Sequence, residues 1–243
     1  MATVVYNNAS AIEATLLSVV SQTYSNLEYI VVDGGSDDGT LQILRQFSKR
    51  IHYLVSESDS GVYHAMNKAI KVASGDWILF MNSGDTFVSS SVIEDIFLNT
   101  VHSMNSIIYG GHQVLYASGR LRNVPVKSRL AFWRGAQFSH QSAFIPLLYH
   151  KKFCYNQGYK IAADYAFFVD ARRRGVEFKP VAYQIAIIAT QGLSDTQRFK
   201  GIMEMSKALD ERFFSIFYFP LLIVSTFAKL FVKRALSALR ALY

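Results

Sequence analysis

The sequence predicts an α/β fold: a parallel sheet flanked by helices. Three observations carry that prediction. Short apolar runs at 3–6, 28–33, 51–55 and 77–81 alternate with amphipathic stretches, the pattern that βαβ units impose. The runs are apolar enough to be buried strands. Each ends in a small polar turn: "YNNAS", "DGGSDDGT", "SESDSG" and "NSGD".

The elements follow in order. "TVVY" (3–6) is the first strand, and Ser10 with Glu13 reads as a capping box opening a helix with Ile12, Leu16 and Val19 on one face. "EYIVVD" (28–33) is the second strand, and Leu41, Leu44 and Phe47 mark the next helix. "IHYLV" (51–55), a helix over 62–73 and "WILFM" (77–81) complete the alternation, and Ser91 with Glu94 caps one more helix. Beyond residue 105 the pattern becomes mixed. "SIIYG", "HQVLY" and "GRLRNV" read as short strands around turns, "HQSAFI" as another and "KPVAYQIAII" as a late strand. A helix over 163–174 stops at Gly175. The expected organisation is an α/β half over 1–105, a second half of the same domain over 106–212 and a tail over 213–243.

Composition narrows the partners. The chain is 51% hydrophobic and 18% charged, with a formal net charge of +7. Charge placement argues against nucleic acid, since no zinc finger, arginine-rich arm or RNA-binding aromatic signature is present. Residues 213–243 instead hold four basic and no acidic side chains among dense apolar ones. On a helical wheel Ser225, Thr226, Lys229, Lys233, Ser237 and Arg240 share one side, opposite Phe227, Phe231 and Leu242. A basic amphipathic helix of this kind lies on an anionic membrane surface; the alternative is packing on the domain or in a dimer. The uncharged stretch 213–228, interrupted by Pro220, is too short to span a bilayer. Cys154 is the lone cysteine, which excludes an internal disulfide and a cysteine-rich metal site. The N-terminus enters a strand without a charged leader, so a signal peptide is not expected.

In an open parallel sheet, ligands bind beyond the carboxyl ends of the strands. The four polar turns would therefore line one edge, although each alone reads equally as a loop with a helix cap. Together they suggest a nucleoside-diphosphate site. Asp33 can accept from a base imide or ribose hydroxyls, and Gly34 and Gly35 permit close backbone approach. A divalent cation at Asp85, Mg²⁺ or Mn²⁺, would neutralise the diphosphate. No GxxxxGK[ST] loop is present, and Gly34, Gly35 and Gly39 follow an aspartate instead of opening a GxGxxG turn.

"TVVYNNASAIEATLLSVVSQTYSNLEYIVVDGGSDDGT" with "SESDSGVYHAMNKAIKVASGDWILFMNSGD" resembles the nucleotide-binding half of the family-2 glycosyltransferases, of GT-A fold, and within them the bacterial enzymes of surface-polysaccharide biosynthesis. The resemblance is close over 3–87 and looser as far as "HQSAF" and "GLS". It implies that Val5, Tyr6 and Asn7 border the base, that Asp33 binds base or ribose, and that Asp59 sits in a loop closing over the nucleotide. Asn67 would belong to the same donor site by anchoring its helix. "NSGD" occupies the family's DXD position, with Asn82 and Gly84 where aspartate is commonest and Asp85 the sole carboxylate. The family inverts, so a general base must deprotonate the acceptor hydroxyl. "AADYAFFVDARRRG" offers Asp164 for that role, with Asp170 as the rival, and His140 with Gln141 falls where the family lines the acceptor pocket. The implied function is sugar transfer from a nucleoside diphosphate, UDP by family habit, to a hydroxyl of a lipid-linked or polysaccharide acceptor. The implied location is the cytoplasmic face of the bacterial inner membrane, held peripherally. Two alternatives stand beside it. A nucleotidyltransferase would need a glycine-rich basic loop that "YNNASAIE" lacks. A catalytically weakened nucleotide-sugar-binding or scaffold protein would explain the thinned "NSGD".

Overall fold

The computed structural model describes residues 1–99, 103–190, 192, 196–209 and 224. Strands β1 (Ala2–Val5), β2 (Ile30–Asp33) and β3 (Tyr53–Ser56) form a parallel sheet in that order. Every residue of β1 and β2 is buried, because helices cover both faces. Helix α1 (Ala9–Val20) sends Ile12, Leu16 and Val19 into a core with Val5 and Val31, joined there by Leu44 of α2 (Thr40–Gln46). On the opposite face, Met66, Ala69 and Ile70 of α3 (Val62–Val72) pack with Val4, Ile30 and Val32. The period of two along each strand sends alternate side chains to the two cores.

Register positions the site. Val5 lies opposite Asp33, and Asp33 opposite Ser56, so three loops leave the sheet from one row. On the other side of β1, Ala2 bridges Phe80 in parallel, donating its N–H to the Leu79 carbonyl at 3.0 Å and accepting from Met81 at 2.9 Å. Strand order reverses between β1 and this segment, which makes its end a topological switch point.

The run 77–81, expected as one strand, is shared between two neighbours. Trp77–Ile78 (β4) pairs antiparallel with β8 (Ala143–Pro146), whereas Phe80 pairs with β1. Short strand β5 (Thr86–Phe87) and helix α4 (Val92–Asn99) follow. The expectation of separate strands at "SIIYG" and "HQVLY" is corrected: Ser106–Leu115 is one ten-residue strand, β6. It pairs parallel with β9 (Glu177–Ala189) and antiparallel with β7 (Leu121–Val124) and β8. Gly110 and Gly111 sit at a register shift in this ladder. A Cβ on Gly110 would come 2.6 Å from the Tyr183 carbonyl oxygen, so close strand approach, not a turn, demands glycine there.

Neither expected capping box forms. Helix α1 starts behind Asn8, whose amide turns to Ser83, and the Asp38 carboxylate takes the Ala9 N–H at 2.9 Å. At α4 the Ser91 hydroxyl bonds Asp95, and Glu94 accepts from the Thr23 hydroxyl. Distant partners take over at α1 and at Glu94, while Ser91 turns to Asp95 within its own helix. Helix α6 (Ala163–Arg173) matches the expected helix over 163–174, whereas α5 (Leu147–Lys152) and α7 (Arg198–Leu209) were not anticipated. The expected amphipathic tail at 213–243 lies outside the described residues except for exposed Val224. Among the described residues no helix is long and apolar enough to cross a membrane.

Candidate active site

The loop after β2 is organised by its own carboxylate. Asp33 is 0% exposed and accepts from the Ser36 N–H at 3.1 Å and from the Ser36 and Ser56 hydroxyls. Its oxygens hold the turn together. Asn7, at φ 46°, takes the Asp37 N–H on its Oδ1 at 3.0 Å and donates its own N–H to Ser36 Oγ. A short amide side chain tolerates this left-handed backbone, and here it ties the ends of β1 and β2 together. Val5 buries its side chain and offers only its carbonyl, to the Gly34 N–H at 2.9 Å.

The surface these loops leave open is built by Tyr6 and Asp59. The Tyr6 ring is 65% exposed. A Cβ on Gly34 would lie 2.8 Å from Asp59 Oδ2 and 3.3 Å from Tyr6 Cδ2, so carboxylate and ring converge over bare backbone. Asp59 also accepts the Gly61 N–H at 2.8 Å, fixing the entry to α3. Glu57 pairs with Lys68 at 2.9 Å. Asn67 anchors α3 as expected but carries no free amide for a donor: it exchanges both bonds with the Tyr155 backbone, at 2.8 and 3.0 Å, in a buried position.

The "NSGD" turn closes the other side of the switch point. Asn8 Nδ2 donates to Ser83 Oγ at 2.9 Å, Thr15 Oγ1 accepts the Gly84 N–H at 2.9 Å and donates to the Asp85 carbonyl. Gly84 stands at φ 99°, so the turn itself explains glycine where the family pattern favours aspartate. Asp85 is 6% exposed, with Oδ2 accepting from Gln141 Nε2 at 2.7 Å and Oδ1 from the Ala189 N–H at 3.0 Å. Burial pushes its carboxyl up to about 6, against the pull of those donors. Among the described residues no cluster of three metal-binding side chains exists. The donor set therefore fits a cation carried on a diphosphate, with Asp85 as one added ligand, and does not fit a cage built by protein alone.

Asn82, expected at the donor, and His140, expected at the acceptor, instead form a chain to the base candidate. Asn82 Nδ2 lies 2.9 Å from His140 Nε2, and His140 Nδ1 lies 2.9 Å from Asp164 Oδ2. With the proton on Nδ1 both contacts are satisfied: the ring donates to the carboxylate and accepts from the amide. The Tyr63 hydroxyl meets Asp164 Oδ1 at 2.9 Å and the Ile161 carbonyl at 2.8 Å. Burial and the Asp164 charge push the Tyr63 phenol well above its ordinary value, so it stays a donor. Burial would raise Asp164 as well, but hydrogen bonds from His140, Tyr63 and the Tyr165 N–H hold it below the ordinary carboxylate range. Its side chain keeps 23% of its surface exposed. The rival Asp170 is committed to Arg174 at 2.6 Å on the outer face of α6. Tyr63 was missed in the sequence; it stands in "GVY" beside the acidic loop, the one signal that pointed there. Neighbouring contacts thus run from Asp33 through Ser36, Asn7, Asn8, Ser83, Asn82 and His140 to Asp164 along one edge of the sheet.

The pattern described as Glycosyl transferase family 2 matches residues 2–166. The chain belongs to that family. A "PGL/p-HBAD biosynthesis glycosyltransferase" of Mycobacterium tuberculosis (strain ATCC 25177 / H37Ra) is 30% identical over 167 residues, covering 66% of this chain and 64% of that protein. The family-2 chain thus spans under two thirds of that relative's length. The Escherichia coli "UDP-Glc:alpha-D-GlcNAc-diphosphoundecaprenol beta-1,3-glucosyltransferase WfgD" is 34% identical over 111 residues, 45% of this chain and 44% of that one. Among solved structures, S. aureus TarS in complex with UDP-GlcNAc aligns with TM-score 0.64 at 16% identity, over 85% of this chain and 65% of that chain. A mannosyltransferase from Pyrobaculum calidifontis in complex with GDP-Man and Mn²⁺ aligns with TM-score 0.66 at 17% identity, over 85% and 61%. The α/β architecture of helix-flanked sheets is that of these glycosyltransferase structures.

Proposed function

We propose that this chain is an inverting glycosyltransferase that moves a sugar from a nucleoside-diphosphate donor to a hydroxyl of a lipid-linked or polysaccharide acceptor. The observation that carries the reading is Asp164: an ionised, part-exposed carboxylate aimed by His140 and Tyr63 at the end of a row of donor-side loops. Asp164 takes the acceptor proton as the acceptor oxygen attacks the anomeric carbon. The anomeric C–O bond breaks and its electron pair leaves with the diphosphate. Tyr6 and Asp59 border the nucleotide above Gly34. Asp85 would hold a divalent cation, Mg²⁺ or Mn²⁺, together with the diphosphate, and that cation would neutralise the leaving group; the Mn²⁺ complex of the Pyrobaculum protein supports this. UDP as nucleotide, and a polyprenyl-diphosphate-linked acceptor, draw support from the UDP-GlcNAc complex of TarS and from the specificity that the name of WfgD states. Residues 213–243 would hold the active site at an anionic membrane, on the cytoplasmic face where such acceptors are exposed.

The test is transfer from labelled UDP-glucose and UDP-GlcNAc to a polyprenyl-diphosphate-linked GlcNAc, with Mn²⁺ or Mg²⁺. Asp164→Asn should lower transfer by about 10³-fold while UDP still raises the melting temperature. Equal turnover by the variant removes the base assignment. A second reading, a nucleotide-sugar-binding protein without transfer, is favoured only by the Asp85 oxygens already holding Gln141 and Ala189. Binding without turnover in the wild type would select it.

A further inference from the structure

The base-bearing helix does not cap itself. Ala162 is the residue flanking the start of α6, and no side chain of its own closes the first turn. The N–H groups of Lys160, Ile161 and Ala162 converge instead on one carboxylate from α7: Glu204 Oε2 accepts all three, at 3.0, 2.8 and 3.0 Å, and Oε1 accepts Lys160 again at 3.0 Å. Burial would raise the Glu204 carboxyl, but these backbone bonds hold it below its ordinary value. An anion against the positive end of a helix is stabilising in its own right. One turn earlier in α7, Gly201 lets the two segments touch, since a Cβ there would lie 3.2 Å from Ile161 Cγ2. At the far end the arrangement is reciprocal: Arg173, the last residue of α6, donates to the Ala208 and Leu209 carbonyls that end α7.

The link onward to the base is short. Ile161, whose N–H Glu204 holds, offers its carbonyl to Tyr63, and the same Tyr63 hydroxyl reaches Asp164. Asp164 itself lies two residues beyond the last amide that Glu204 grips. Three fixed points therefore define where the carboxylate sits: His140 and Tyr63 from the sheet side, and Glu204 beneath the loop that delivers it.

We propose that Glu204 is a positioning residue for transfer: it caps α6 across 42 residues of sequence and thereby sets the placement of Asp164. The inference rests on the glycosyltransferase reading for its kinetic arm only.

The experiment compares Glu204→Ala, Glu204→Gln and a control core variant, Ile93→Ala in α4, in the full chain. In Glu204→Ala, kcat should fall by about 10²-fold, the loss that a small misplacement of a reacting group produces, with KM for the donor unchanged within about twofold. Glu204→Gln should recover part of that loss, because Oε1 can still accept from the loop amides. Ile93→Ala, destabilised but remote from α6, should keep the kcat of its folded fraction. Hydrogen exchange supplies an arm that needs no activity: amides 160–164 should exchange faster in Glu204→Ala while α1 and α3 keep wild-type protection. A kcat loss matched by Ile93→Ala, a donor KM that rises in step with the kcat loss, or exchange that rises uniformly across the chain would overturn the proposal. Absence of transfer in the wild type would remove the glycosyltransferase reading, and the exchange arm would still decide this one.

Discussion

Asp85 and Asp164 sit on two sides of one short turn, and adjacent residues of that turn serve them: Gln141 donates to Asp85 and His140 to Asp164. Both carboxylates accept on both oxygens. Yet Asp85 is pushed up to about 6, whereas Asp164 is held below the ordinary range. The donors explain the difference. Asp85 is 6% exposed and receives two neutral N–H groups, from an amide and the backbone, so burial wins. Asp164 receives an imidazole, a phenol and the Tyr165 N–H, so the donors win. Hydrogen-bond number alone does not set the charge of a buried acid; desolvation and the nature of the donor decide it.

The largest effect should come from breaking the Asp164 side outright. Asp164→Asn is expected to lower kcat by about 10³-fold, within the range of general-base contributions, measured beside UDP binding that stays intact. Next comes the Asp85 side, read through stability. Its folded pKa stands above its unfolded value of 3.8, so the folded chain binds more protons between pH 3.8 and about 6. Its favourable contribution is whole below that window and is lost as pH rises through it, by about 3 kcal/mol. In urea denaturation, the stability at pH 4 minus that at pH 7 should be lower in Asp85→Asn than in the wild type by about 2 kcal/mol. Asp164 has the opposite sign: its contribution is present above the ordinary carboxylate range and is lost on acidification.

Smaller effects sharpen the same contrast. His140→Ala removes one Asp164 donor and leaves the Asp85 bonds in place, so kcat should fall about 10²-fold. The acidic limb of the rate profile should move to higher pH, since burial then acts on Asp164 with less opposition. An unmoved limb would show that His140 does not govern the charge of Asp164. Tyr63→Phe removes a single hydroxyl and should cost about tenfold in kcat, the scale of one hydrogen bond to a charged group.

Much of this site was legible in the residues. Four turns after four apolar runs pointed to one edge of the sheet, and the register of Val5, Asp33 and Ser56 places them there. Asp164 was readable as an acid opening a helix. What the pattern did not report is that residues whose type fits a ligand also bond to the chain itself. Asp33 holds Ser36 and Ser56, Asn67 holds Tyr155, and Asn82 holds His140. Spacing reports which side chains leave a given strand end. It does not report which of them another loop, 58 residues away in the case of Asn82 and His140, will claim.

The amino-acid order by itself determined the alternation of strands and helices, and hence a parallel sheet with polar loops at its carboxyl edge, because periodicity and turn chemistry act within a few residues. Only the tertiary structure decided the charge and aim of each acid. Those depend on burial and on donors brought from distant segments: Gln141 and Ala189 to Asp85, His140 and Tyr63 to Asp164, and Glu204 to the loop that carries it. An electrostatic environment is a sum over neighbours in space, and for this chain most of those neighbours are far apart in sequence.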